Sequence, residues 1–328
     1  MSLTTISSST GGAVEASVAR ALRGSRADIR GRAFEAALIA CLLLSMLILG
    51  VLIATVVTDG MPVYGERGWS FLDAGLSSSA RRAGISQGIV GSFWIAVSVV
   101  VLAVPIGIGA AIYLEEYAPR NRLTGFIELN IRNLAGVPSV VYGLLGLAIF
   151  VEALGGFTTH DDVNRRTLAA AGVTLAVLVL PIIVITTAEA LRAVPQSLRE
   201  GAYGVGATRW EVIRTQVLPY AAPGILTGGL LSIARAIGEA APLIVVGAVT
   251  GFFSQGAGLS VGNVTDPGHL TERFVALPTI VTTWAKLPDE EFKVANSSAT
   301  IIAMLVFVLL INSIAIILRN RFEKKRSS

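Results

Sequence analysis

Reactive side chains are scarce in this sequence. Its 328 residues include one cysteine, Cys41, and two histidines, His160 and His269. A single thiol closes no internal disulfide and supplies no cysteine-based metal site. The histidines fall in loops, with no metal-ligand spacing and no Ser/His/Asp grouping around them. A G-x4-G-K-[ST] phosphate loop is absent, and Gly-Lys never occurs as a dipeptide, which excludes ATP binding of the P-loop type. Charge is thin as well. Only 15% of residues are charged, against roughly a quarter in soluble domains.

Apolar residues fill the space, at 53% of the chain. A run of about 18 or more is long enough to cross a bilayer. Six such runs stand out, at residues 36–57, 89–114, 134–151, 168–188, 221–249 and 299–318. The fifth is long enough to be tilted or broken. Lys and Arg set the orientation, because they accumulate on the cytoplasmic side of short loops. The two tails, the 2–3 loop and the 4–5 loop together hold sixteen basic residues, and the opposite loops hold eight. Both termini are therefore expected in the cytoplasm. On this reading the net charge of +4 anchors topology and gives no signal for nucleic acid. The first 12 residues, rich in Ser, Thr and Gly, are expected to be disordered. Residues 16–32 suit either a basic helix on the membrane or a solvated tail. A cleavable signal peptide is not expected, since the first apolar run begins about 35 residues in.

Between runs four and five lies a polar stretch, EGAYGVGATRWEVIRTQVLP, from Glu200 to Pro219. Ser197 to Glu200 and Thr208 to Glu211 both read S/T-x-x-E, the capping box that opens a helix. Gly204 and Gly206 fall between them, where a reversing chain needs positive φ or close approach. Pro219 opens the next run, where its missing N–H costs nothing. The prediction is two short helices around a glycine corner on the cytoplasmic side. Ala202, Gly204, Gly206 and Ala207 would let a partner backbone approach closely, and Arg199, Arg209 and Arg214 could pair with its acids or with lipid.

Two basic residues escape the loop count. Arg132 sits at the edge of run three, and Arg235 lies inside run five, 16 residues past Pro219, or about 24 Å along a helix. Intramembrane charge is costly and faces a pathway or a partner. Arginine suits an anion, since its planar fork donates two parallel hydrogen bonds and stays protonated. Glu239, four residues on, shares its helix face. A pathway role and a purely structural ion pair both fit this pattern. Gly107, Gly109, Gly143, Gly146, Gly228 and Gly229 are read as helix-packing residues. Pro105, Pro138, Pro181 and Pro242 are read as kinks or freed carbonyls. Residues 251–297 form the longest outer connection. Its amphipathic part, 274–287 with Trp284, suits either a helix at the membrane interface or an outer surface that touches a substrate-binding protein, and both histidines are expected to be solvated.

Glu200, Ala202, Gly206, Leu218 and Pro219 carry the E-x-A-x3-G…L-P spacing, which resembles the EAA loop of ABC importer permeases. Gly201 and Gln216 depart from it, standing where alanine and isoleucine are common; the first softens the helix by up to about 1 kcal/mol. The segment from Asn133 to Leu144 and the segment from Arg235 to Leu243 resemble phosphate ABC transporter permeases, and the latter, with the stretch from Pro223 before it, resembles their PstA type. The resemblance covers roughly residues 85–318. It implies an all-α membrane protein with six transmembrane helices and the type I importer (MetI-like) architecture. The division would be a basic tail at 1–33, a first helix at 34–58, the transporter domain at 85–318 with its coupling loop at 195–219, and a basic tail at 319–328. The implied coupling residues are Glu200, Gly201, Ala202, Gly206, Ala207, Leu218 and Pro219. Arg235, Glu239, Arg132 and Ser139 are the candidates for a substrate pathway.

The expected function is ATP-driven phosphate import across a bacterial cytoplasmic membrane, by a subunit that is not itself an enzyme. The implied partners are a PstC-like permease, two PstB-like ATPase subunits carrying ATP and Mg, a PstS-like binding protein, and lipid. The chain itself needs no cofactor. Permeases for molybdate or sulfate, a secondary transporter and a phosphate-sensing regulator remain alternatives.

Overall fold

The computed structural model describes residues 29–154, 166–248 and 264–327, and all the regular structure among them is helical. The tail before residue 29, His160 and the glycine-rich stretch at 249–263 lie outside the described residues. The chain divides into two units at Thr55 and Val56. The described part of the first unit belongs to the long helix α1 (Ile29–Arg67).

The second unit is a bundle organised around α5 (Leu168–Arg192), which packs along α2 (Ser86–Ile112) and against α8 (Leu218–Gly238). Small residues make this possible. Gly107 of α2 lies so close to Ile183 of α5 that an added Cβ would come within 2.6 Å of the isoleucine side chain, and Gly228 of α8 abuts Thr186 as closely. Ile95, Val99, Leu175, Val179 and Ile183 are buried between these helices. In a bilayer, where lipid is as apolar as leucine, such close approach is what holds helices together. Gly143 and Gly146 also pack tightly, but Gly109 and Gly229 do not: a Cβ at either would meet no atom within 4 Å.

Among the described residues, five helices are long and apolar enough to cross a membrane, or six if one bent pair counts as a span. That pair corrects the reading of residues 134–151 as a single run. α3 (Arg122–Ala135) ends, and α4 (Ser139–Gly146) starts at 100° to it, continuing as a wide π-helical turn, Leu147–Ala153. The cause is local. Proline disfavours the helical region for the residue before it, so Val137 cannot continue α3, and Pro138 becomes the N-cap of α4. Tyr142 braces the bend by donating its hydroxyl to the Leu134 carbonyl at 2.8 Å.

The fifth run is broken too. α8 stops at Gly238, Glu239 is extended at φ −85° and ψ 111°, and a short helix α9 (Ala241–Val246) follows. The two breaks meet: Gly143 of α4 touches the backbone of Pro242 in α9.

The outer connection also differs from expectation. α10 (Leu277–Trp284) is no surface helix. Leu277, Ile280 and Trp284 are buried with Val63, Phe71, Ile85 and Phe292 in a second core. Trp284 sits 5.4 Å from the Phe292 ring. His269 is likewise buried rather than solvated, with Nδ1 3.3 Å from Glu272. The last helix, α11 (Ser297–Ser327), runs on through most of the segment read as a tail.

Candidate functional site

The polar insert folds as a corner. α6 (Gln196–Gly204) turns through Val205 to Thr208 into α7 (Arg209–Val212). The corner is closed by Gly206 N–H donating to Tyr203 O at 2.9 Å and Ala207 N–H to Ala202 O at 3.2 Å. Gly206 has φ +86°, which a side chain strongly disfavours. Gly204 needs no such freedom; it simply ends α6. The Thr208 box forms as its spacing requires: the Glu211 carboxylate accepts from the Thr208 N–H at 2.8 Å and hydroxyl at 2.7 Å. The Ser197 box does not, because Pro195 already serves as N-cap one residue ahead of the helix start at Gln196. α7 is not a separate helix either. It passes through a wide turn, Ile213–Val217, into α8, with Leu218 and Pro219 in the first turn of α8.

One side of this corner belongs to the bundle. Val194, Val212, Val217 and Ala221 are buried with Ala111, Val184 and Leu191, and Ala202, Ala207 and Leu218 pack against them. The other side is open. Glu200, Gly201, Gly204 and Gly206 are exposed, as are Tyr203, Trp210 and above all Val205, at 86%. A Cβ at Gly201, Gly204 or Gly206 would meet nothing within 4 Å. A surface of exposed aromatic and aliphatic residues beside bare backbone suits contact with another protein.

The arginines of the insert divide in a way that sequence spacing does not show. Arg199 is mostly buried and turned inward: its Nη2 donates to Glu116 at 2.8 Å and to the Leu191 carbonyl at 3.0 Å. Arg209 lies 5.1 Å over the Tyr117 ring. Only Arg214 is exposed without such a contact. Below the corner, Arg120, Arg192, Arg199 and Arg209 face Glu115 and Glu116 around a cavity of about 600 Å³, whose walls carry a net positive charge.

The pathway candidates lie elsewhere. Arg235 Nη2 is 3.4 Å from Glu239 Oε1, so the two do pair, although Glu239 has left the helix as the C-cap of α8. The Arg235 side chain is 55% exposed and its carboxylate partner 21% exposed. Arg235 lies in the last turn of α8, half-exposed beside the break, and charge within an apolar span is costly without a partner or a polar pathway. Ser139 is half-buried at the start of α4, which packs on α9 just past Glu239. Arg132 is exposed in the last turn of α3, and no ion pair joins it to Arg235 or Glu239. The structure thus brings together Arg235 and Glu239, sets Ser139 on the helix that packs against the same break, and leaves Arg132 apart.

Residues 103–328 match the protein family described as Binding-protein-dependent transport system inner membrane component. The chain is 32% identical over 247 residues to the probable ABC transporter permease protein YqgI of Bacillus subtilis, covering 74% of this chain and 81% of that one. It is 38% identical over 180 residues to the phosphate transport system permease protein PstA of Mycobacterium leprae, a match spanning 54% of this chain and about half of the relative, 56%. In shape it resembles a bacterial ABC transporter involved in import of the acidic polysaccharide alginate, with a TM-score of 0.50, 15% identity, and coverage of 88% of this chain and 99% of that one. The last likeness shows the fold alone.

Proposed function

The chain belongs to the binding-protein-dependent transport system inner membrane components, and from that premise we propose that it is the PstA-type permease subunit of an ATP-driven phosphate importer. It is a multi-pass membrane protein, and both termini and the corner face the cytoplasm. The corner carries the transport reading: an exposed, glycine-bared surface rooted in the ends of four helices is built to receive force from another subunit. That subunit is an ATPase carrying ATP and Mg, present in two copies. A second, PstC-like permease completes the channel, and a PstS-like binding protein delivers the anion.

Closure of the ATPases on the corner shifts the helix ends, and the bundle alternates its access. The relatives named as phosphate permeases support phosphate as cargo. The break in the fifth span supplies chemistry that fits. Arg235 offers two parallel donors to phosphate oxygens, and Glu239 holds the guanidinium in place while tempering its affinity, so that the anion can leave.

The test is uptake into proteoliposomes holding both permeases and the ATPase, driven by ATP and the binding protein, with sulfate and molybdate as competitors. Arg235→Ala should cut phosphate uptake by about a hundredfold or more while the complex still assembles, in line with a lost pair of charged hydrogen bonds. Uptake at the wild-type rate in that variant would sink the pathway role. Uptake driven by an ion gradient alone would point to a secondary transporter.

A further inference from the structure

Three elements that are distant in sequence meet at one guanidinium. Arg192 is the last residue of α5, four residues before α6 begins. Its Nε donates to Glu115 at 2.9 Å, and its Nη2 reaches both Glu115 and, at 3.4 Å, Glu128. Glu115 lies in the wide turn Tyr113–Tyr117 that ends α2, and Glu128 sits midway along α3. Next to Glu115, Glu116 takes Arg199 of the corner itself at 2.8 Å. Two consecutive carboxylates therefore grip the corner and its root, and Arg192 extends the ion pairs to α3, whose Ile131 also packs against the buried residues around Leu191.

The far end of α3 is tied as well. Its Leu134 carbonyl accepts from Tyr142 of α4, and the neighbouring Gly143 abuts Pro242, three residues past Glu239. A continuous line of contacts thus runs from the corner, through Arg192 and α3, to the break that holds Arg235.

We infer that Arg192 is a positioning residue for energy coupling: it locks the roots of the corner, α2 and α3 into one unit, so that movement of the corner is delivered to the bend of the third span. The inference rests on the importer reading above. Stability is not a sufficient reason for this cluster. The two-pronged Arg192–Glu115 pair, whose carboxylate is only 14% exposed, does contribute to holding α2 on α5, but the arm to Glu128 joins side chains 43% and 35% exposed, and exposed ion pairs contribute little to folding. What that arm provides is a junction that keeps the ends of α2 and α5 in register with the middle of α3, as elements that move together require.

The measurement is phosphate taken up per ATP hydrolysed by the full complex in proteoliposomes. Arg192→Ala should lower that ratio by about tenfold while hydrolysis and assembly stay near wild type, the size of effect expected for a residue on a coupling route. Glu128→Gln strips the charge from the arm to α3, leaving at most a neutral hydrogen bond, and keeps the Arg192–Glu115 pair, so it should lower the ratio by about threefold. Arg192→Lys, with a point charge in place of the fork, should fall between wild type and Arg192→Ala. If uptake and hydrolysis decline together with the amount of assembled complex, or if Glu128→Gln leaves the ratio unchanged, the inference is overturned. A wild-type complex without ATP-dependent phosphate uptake would sink the importer reading itself, which is a different result.

Discussion

A side chain added at Gly143 would meet the backbone of Pro242, whereas one added at Gly201 or Gly204 would meet nothing within 4 Å. The same residue type does opposite work in the two regions. In the bundle interior, the missing side chain is filled by the chain's own neighbour, as at Gly107, Gly146 and Gly228. At the corner it is filled by nothing this chain supplies, and only Gly206 has a backbone reason, its φ of +86°. Glycine in a helix costs up to about 1 kcal/mol relative to alanine. At Gly201 and Gly204 no internal contact offsets that cost. Open space alone does not require a partner, since Gly109 and Gly229 have it too, but at the corner it lies beside exposed Tyr203, Val205 and Trp210, as the proposed docking role needs.

The comparison breaks first, and hardest, in the interior. Gly143→Leu places a branched side chain where a Cβ alone would come within 2.7 Å of Pro242 Cα and 3.0 Å of its carbonyl oxygen. Neither is the free end of a side chain, so α4 and α9 must separate. The expected loss is about 3 kcal/mol or more, the upper end of overpacking costs, seen as a collapse in the yield of monodisperse complex. A normal yield and melting temperature would show that the two broken spans do not depend on this contact.

At the corner the outcome should reverse. Gly204→Trp keeps an ordinary helical backbone and enters open space, so this chain should fold as before. Association with the ATPase should weaken by about tenfold to a hundredfold, equivalent to the 1–3 kcal/mol of overpacking a close contact. Gly206 is the poorer site for this experiment, because any side chain there also strains the turn and confounds docking with folding. Co-purification of the ATPase with Gly204→Trp, against melting of the permease alone, separates the two. Undiminished association would mean that the open face is not where the partner sits.

How far the sequence revealed this division depends on the distance over which each interaction acts. The Thr208 box is complete within four residues and could be read directly; so could the Gly206 turn. The Ser197 box has the same spacing and fails, because Pro195 fixes the helix start first. The Gly136-Val137-Pro138 bend carries its signal in plain view, but a proline in an apolar run also suits a kinked continuous helix, and only the path of the chain decides. Local pattern misplaces Trp284 and His269 because burial of the first is set by α1, α2 and the last span, and burial of the second by the packing of its turn on α5. Arg192 was visible only as one more basic residue on the cytoplasmic side. Its carboxylate partners lie 77 and 64 residues away, beyond any local pattern. The adjacent Glu115-Glu116 pair at the end of an apolar run was the one signal that could have pointed there.

The finest test compares two glycines in one helix, two residues apart. Gly107 and Gly109 both belong to α2, and sequence alone assigns them the same packing role. Gly107 is buried, and a Cβ there would press on Ile183 of α5; Gly109 is exposed, with no atom within 4 Å of the same position. Gly109→Ala should therefore raise stability slightly, by about 0.4–1 kcal/mol, through helix propensity and a less flexible unfolded chain. Gly107→Ala should lower it, because the β-branched Ile183 side chain has few rotamers in which to retreat. Thermal unfolding of the detergent-solubilised permease measures both. Opposite signs would confirm that proximity within this chain, not residue type, decides which small residues its fold requires. A loss at Gly109 as large as that at Gly107, appearing only when the second permease is present, would place another helix on this face and move Gly109 into the same class as the corner.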